Sequence, residues 1–256
     1  MAYFPEFDDL RLRDAPGGLR GLTQRHDFAQ SFDPTQRSSQ PVVTGTSVLG
    51  LKYRDGVILA ADTLGSYGSL ARYRGVSRML KIGEKTIVGA TGDYADFQFL
   101  KDVINEKVLH DNLLNDGHTM LPTAVFSWLT RVLYNCRTEL DPLWNVYVVG
   151  GVHEGKALLG YVDYVGVGYE APTVATGYGS YIARPLLRDA YEKNPDMTEA
   201  EARDVMEKCM RVLYYRDARS LNRFEISLIT NERCVIEEPK STETSWEIGH
   251  MVKGYD

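Results

Sequence analysis

Three side chains capable of chemistry punctuate one stretch of the sequence. Thr46 opens an apolar segment, Asp62 closes the next one, and Arg78 follows, each sixteen residues after the last. A threonine hydroxyl is a weak nucleophile until a base takes its proton. A carboxylate at a strand end can orient a basic partner, or simply pair with it at low exposure. Arginine is planar and permanently charged, so it can hold a carboxylate but cannot exchange a proton. The run Arg216-Asp217-Ala218-Arg219-Ser220 reads as a charged helix C-terminus. In Gly177-Tyr178-Gly179-Ser180 the glycines suit a turn into a helix capped by Ser180. Such a turn can cradle phosphate, but no Gly-Lys-Ser/Thr element accompanies it.

The elements that must position these residues can be read from punctuation and period. Thr44 to Leu51 reads as a strand, Asp55-Gly56 as a hairpin turn, and Val57 to Ala61 as a strand covered on both faces. Asp62 falls where that strand leaves its cover. Short strands follow at Met79–Ile82 and Thr86–Ala90. Phe97, Leu100, Ile104 and Val108 form one helical stripe, and Val125, Leu129, Val132 and Cys136 a second, with Pro122 in the first turn. Strands resume at 145–152 and 157–162 around Glu154-Gly155. A third helix shows Ile182, Leu186 and Ala190 on one face. A fourth starts at Thr198, where Glu201 completes a capping box, and shows Ala202, Val205, Cys209 and Leu213. The last strands are 224–229 and 234–237. Strands joined by tight turns make antiparallel sheets. Helices in two pairs suggest a cover on each outer face of two stacked sheets.

Composition narrows the function. The chain has 256 residues, a formal net charge of −6, no basic stripe for nucleic acid and no apolar run long enough for a membrane helix. The start is neither a secretory signal nor a mitochondrial presequence. Cys136, Cys209 and Cys234 are scattered and form no CxxC, which suits reduced, buried thiols in cytoplasm or nucleus. The five histidines form no ligand spacing, so no metal and no cofactor are expected. Residues 1–40 are broken by Pro5, Pro16, Gly17-Gly18 and Pro34 and cannot build a core.

Gly45-Thr46, an apolar strand, Gly56-Val57-Ile58-Leu59-Ala60-Ala61-Asp62 and a basic residue at 78 together resemble the β-type subunits of the proteasome. The resemblance runs from about Gln40 to Asp256. It implies a four-layer αββα sandwich of the N-terminal-nucleophile hydrolase type, an α+β fold. In active members the threonine becomes the first residue and its free amine is the base; Asp62, a lysine, and the Asp217 and Ser220 positions support it. Here the lysine is Arg78, and Tyr178 stands where active members carry a small serine, so a phenol is expected to fill space near the nucleophile. The resemblance further implies a prosegment over 1–40 cut upstream of Thr46, near residues 35–39, a β-type domain over 41–238, and a tail over 239–256. An amide nitrogen at Thr46 is no base. The expectation is therefore a degenerate site at Thr46, Asp62, Arg78, Tyr178, Asp217 and Ser220, with Asp62 and Arg78 kept as a structural ion pair, in a non-catalytic subunit of the 20S core. The alternative is an active threonine endopeptidase formed by autolysis at Gly45-Thr46. Expected partners are other α and β subunits, assembly factors, and a β subunit of the opposite ring through the tail.

Overall fold

The structure is a computed structural model that describes residues 40–114, 117 and 119–251. Among the described residues, thirteen strands and four α-helices run in the order β1 (Val43–Gly45), β2 (Val48–Tyr53), β3 (Gly56–Asp62), β4 (Gly65–Tyr67), β5 (Leu70–Tyr73), β6 (Met79–Ile82), β7 (Thr86–Asp93), α1 (Tyr94–Leu114), α2 (Pro122–Thr138), β8 (Asn145–His153), β9 (Lys156–Val162), β10 (Gly168–Glu170), β11 (Thr173–Ala175), α3 (Gly179–Lys193), α4 (Glu199–Arg216), β12 (Phe224–Thr230) and β13 (Cys234–Ile236). They form two antiparallel sheets. One has the order β10-β9-β8-β7-β1-β4-β5 with β6 also on β7, and the other β11-β2-β3-β12-β13.

Three apolar layers hold the stack together. Leu49, Leu51, Ile58, Ala60 and Ile226 meet α3 and α4 through Ala183, Leu187, Met206 and Cys209. Val88, Tyr147 and Val149 meet α1 and α2 through Leu100, Ile104, Leu129 and Val132. Val48, Val57, Leu59, Ile87, Val148 and Leu159 fill the space between the sheets. Alternate residues of β3 therefore serve different layers, and all seven are buried. That is why its sequence is a continuous apolar run rather than an alternating one. The α+β architecture expected from the sequence, two antiparallel sheets between helix pairs, is the architecture found.

Several local expectations need correction. The strand expected over Thr44 to Leu51 is broken at Thr46-Ser47: β1 belongs to the larger sheet and β2 to the smaller. On α3 the buried stripe is Gly179, Ala183 and Leu187, while Leu186 is exposed. The helix packs along that stripe because Gly179 closes on Ser47 and Leu49, where an added Cβ would crowd them at 3.0 to 3.1 Å. On α4, Met206 and Met210 join Ala202, Cys209 and Leu213, and Val205 is only partly buried. Four short strands, β4, β5, β10 and β11, carry no period that would reveal them. The capping box of Thr198 with Glu201 is present, and Pro122 does open α2.

The three cysteines are free thiols, two of them buried. Burial pushes the Cys209 thiol up to about 12 and that of Cys234 up to about 11. The thiolate is the reactive form, so its fraction stays small until the pH approaches those values. Iodoacetamide at pH 8 should leave Cys209 unmodified in the folded chain and alkylate it in denaturant, as read by peptide mass spectrometry. Equal labelling in both states would contradict the burial.

Candidate functional site

Thr46 and Ser47 link β1 in the larger sheet to β2 in the smaller, so the chain changes sheets here within two residues, as it does again between β3 and β4. Upstream, Val43 to Gly45 lie in β1 between β4 and β7, with Thr44 opposite both Ser66 and Asp93 and Gly45 opposite Gly92. The amide of Val42 also donates to Asp93 Oδ1 at 3.0 Å. Downstream, Val48 pairs with Ala61 in the other sheet. Thr46 is thus flanked by paired strands on both sides, and while the chain is uncleaved its nitrogen is an amide, which cannot act as a general base.

Arg78, only 2% exposed, fills the space under this crossing. Its Nη1 donates to the carbonyls of Thr46 at 2.7 Å and Ala90 at 2.9 Å. Its Nη2 donates to the carbonyl of Ser47 at 3.0 Å and to Asp62 Oδ1, and its Nε to the carbonyl of Asp62 at 3.1 Å. A guanidinium has five N–H donors, and all five are used. The acceptors belong to the crossing, to β3 in one sheet and to β7 in the other. A lysine offers three donors from one point and could not serve them all.

Asp62 is equally buried and also accepts from the amide of Leu221 at 3.0 Å. Burial pushes its carboxyl up from the ordinary range, against the pull of Arg78 and that amide. Because the guanidinium cannot shed its proton, Asp62 carries the compensating charge. Both residues are where the sequence suggests, and they are joined.

Asp217 is the C-cap of α4. Its Oδ2 accepts the Thr46 hydroxyl at 2.5 Å and its Oδ1 the amide of Arg219 at 2.9 Å. Thr46, Asp62, Arg78 and Asp217 therefore form one constellation. Ser220 joins it only through the main chain, since its hydroxyl donates to the carbonyls of Leu213 at 3.1 Å and Asp217 at 2.7 Å, finishing the helix. Tyr178 does not fill the site. It is the N-cap position of α3 with a helical backbone and a side chain 62% exposed. The buried bulk near Thr46 is arginine instead. Nor does Ser180 cap that helix, because its hydroxyl turns back to the carbonyl of Gly177 at 2.7 Å.

Sequence reasoning missed Ser47. Its hydroxyl accepts from the amide of Gly179 at 2.8 Å, so the cap of α3 comes from the sheet crossing rather than from the helix's own flank. Thr176, whose Oγ1 accepts from the amide of Val48 at 2.8 Å and meets Thr91, was missed as well. Both partners are more than eighty residues away in sequence, so no local signal marks them. Among the described residues no group of three His, Cys, Asp or Glu is placed to hold a metal ion.

A threonine, a buried carboxylate and a buried cation meeting where one sheet hands the chain to the other is an arrangement that comparisons with known proteins can place. The profile of the family described as "Proteasome subunit" matches residues 42–229. The chain belongs to the proteasome subunit family. It is 55% identical over 223 residues to a Xenopus laevis protein named proteasome subunit beta type-4, covering 87% of this chain and 92% of the relative. The Arabidopsis thaliana protein of the same name is 44% identical over 215 residues, covering 84% of this chain and 87% of that one. The Saccharomyces cerevisiae proteasome subunit beta type-7 is 42% identical over 233 residues, covering 87% of each. The family match begins at Val42, one residue before β1, so this proteasome subunit carries β1 inside its family domain.

Proposed function

We propose that the chain is a non-catalytic β subunit of the 20S proteasome core, with a structural and assembly role in ATP- and ubiquitin-dependent protein degradation. The observation that carries the proposal is the buried Arg78 guanidinium, all of whose donors are committed to Thr46, Ser47, Asp62 and Ala90, so that no ammonium stands beside the Thr46 hydroxyl. A threonine protease of this type needs a chain that begins at the nucleophile, because its terminal amine, with a pKa of about 7.7–8.0, is the base. Here Thr46 follows a strand paired on both edges, and the neighbouring cation can neither give nor take a proton. The degenerate site at Thr46, Asp62, Arg78, Tyr178, Asp217 and Ser220 is then framework, and the chemistry belongs to neighbouring subunits.

N-terminal sequencing of the mature subunit and labelling of the particle with a threonine-directed electrophile test this together. The mature chain should begin upstream of Val42, near residues 35–39, and Thr46 should stay unlabelled in the parent and in Arg78→Lys. A chain beginning at Thr46, or labelling of its hydroxyl, would establish the endopeptidase reading instead. The proposed prosegment over 1–40 lies outside the described residues except for Gln40. A cut upstream of β1 suits its pairing, since a cut at Gly45-Thr46 would free a strand that joins β4 to β7. The family domain then runs from 41 to 238, and the subunit works in cytoplasm and nucleus. No helix among the described residues is long and apolar enough to cross a membrane.

The tail over 239–256 is proposed to have two parts. Its first part is fastened to its own domain. Lys240 bridges to Phe224 and meets Glu207, Thr242 exchanges hydrogen bonds with Asn222, and Trp246 stands edge-on to Tyr214 and Tyr215 at 5.8 and 5.0 Å. Beyond it, Ile248 precedes and Met251 ends a short 3-10 turn, Gly249–Met251, and both are exposed; Val252 and Tyr255 lie outside the described residues. That exposed apolar end is suited to a β subunit of the opposite ring. Removing residues 247–256 should leave the subunit folded and able to enter half-particles, yet raise the ratio of half to full particles on a native gel. An unchanged ratio would mean that the tail serves its own domain alone.

A further inference from the structure

We propose that Arg78 is a positioning residue that staples the two sheets together at the uncut crossing, and that Gly45 is kept free of a side chain to admit it. The inference concerns the same site as the non-catalytic reading and deepens it, giving the site a present task in place of the lost one.

Two independent observations carry it. The first is the reach of the guanidinium. Its acceptors include Ala90 in one sheet, Asp62 in the other, and the consecutive carbonyls of Thr46 and Ser47 between them. Consecutive carbonyls of a strand point to opposite sides; here both turn to one cation, which is how the chain can leave β1 and enter β2 within two residues. Buried carbonyls without a ladder partner need a donor, and Arg78 is the donor. The second is the space at Gly45. A Cβ there would lie 2.3 Å from Arg78 Cδ, 2.9 Å from Nε and 3.1 Å from Nη1. Gly45 has no positive φ, so its backbone would accept any residue. What forbids a side chain is the arginine alone among its nearest neighbours. The two residues are therefore matched: the glycine fits the arginine, and the arginine fits a chain that is still whole at Gly45-Thr46.

The test is a double-mutant cycle in the full chain. Arg78→Lys keeps the charge and most of the volume, and it should lower the unfolding midpoint by roughly 5–10 °C. Gly45→Ala should cost a similar shift in the parent, but less than half of it in the Arg78→Lys background, where the unpinned lysine can move aside. In the assembled particle, Arg78→Lys should also speed amide exchange at Thr46 and Ser47 at least about tenfold. An Arg78→Lys midpoint within about 1 °C of the parent, an equal cost of Gly45→Ala in both backgrounds, or unchanged exchange at the crossing would each overturn the staple. None of these readouts depends on whether Thr46 reacts with an electrophile, so failure here and failure of the non-catalytic reading are told apart.

Discussion

Asp62→Ala should lower the unfolding free energy by about 3–5 kcal/mol, the loss that follows when one member of a buried ion pair is removed. The size comes from what remains behind. Arg78 cannot neutralise itself, and it is enclosed by main-chain carbonyls that supply dipoles but no counter-charge. The amide of Leu221, which is half-buried, also loses its acceptor, a smaller loss counted within the total. Asp62→Asn keeps the shape and an acceptor while removing the charge, so it should fall between parent and alanine. Equilibrium denaturation in urea measures both. A loss under about 1 kcal/mol for the alanine variant would show that the pair is not what holds this strand end.

Gly92→Ala should cost about 3–5 kcal/mol, through two effects at one atom. Gly92 has φ of +106°, a region that side chains enter at about 1–3 kcal/mol. Its new Cβ would also lie 2.1 Å from the carbonyl oxygen of Trp144. That oxygen already accepts from the amide of Asp93 at 2.9 Å, and backbone cannot step aside as a side chain can. The strain falls on the same end of β7 that pairs with Gly45 and receives the Asn145 side chain through Asp93 O at 2.7 Å. Gly83→Ala is the control. It shares the positive φ, at 59°, but opens onto free space, so its cost should stay near 1 kcal/mol. Equal losses in the two variants would mean that the clash with Trp144 is relieved elsewhere.

What the sequence determined by itself is whatever depends on neighbours in the chain. The hairpin after β2 is one case, although its two turn residues are Arg54 and Asp55, one place earlier than expected, and Gly56 already pairs with Tyr53 at the start of β3. At Glu154-Gly155 both residues have positive φ and the turn joins β8 to β9, the glycine entering that conformation freely and the glutamate following it. The capping box of α4 and the proline start of α2 were legible for the same reason, since each is fixed within four residues. So were the apolar stripes of α1 and α2 and the fully covered β3. The spacing of Thr46, Asp62 and Arg78 pointed to one site through the resemblance to proteasome β-type subunits, since no local pattern joins residues sixteen apart.

The tertiary structure decided everything that depends on a partner far along the chain. That Thr46 is a crossing between sheets follows from Arg78 gathering its carbonyl and that of Ser47, and a carbonyl leaves no mark in a residue code. The cap of α3 is Ser47, because a helix amide takes whichever oxygen packing brings to it. The buried face of α3 runs through Ala183 and Leu187 because Gly179 must close on the crossing, although Leu186 is the more apolar choice by type than a glycine or alanine stripe. Tyr178 looked like an obstruction in one dimension and stands in solvent in three. The bulk that occupies the site is Arg78, and only the fold reveals that Gly45 leaves the room for it.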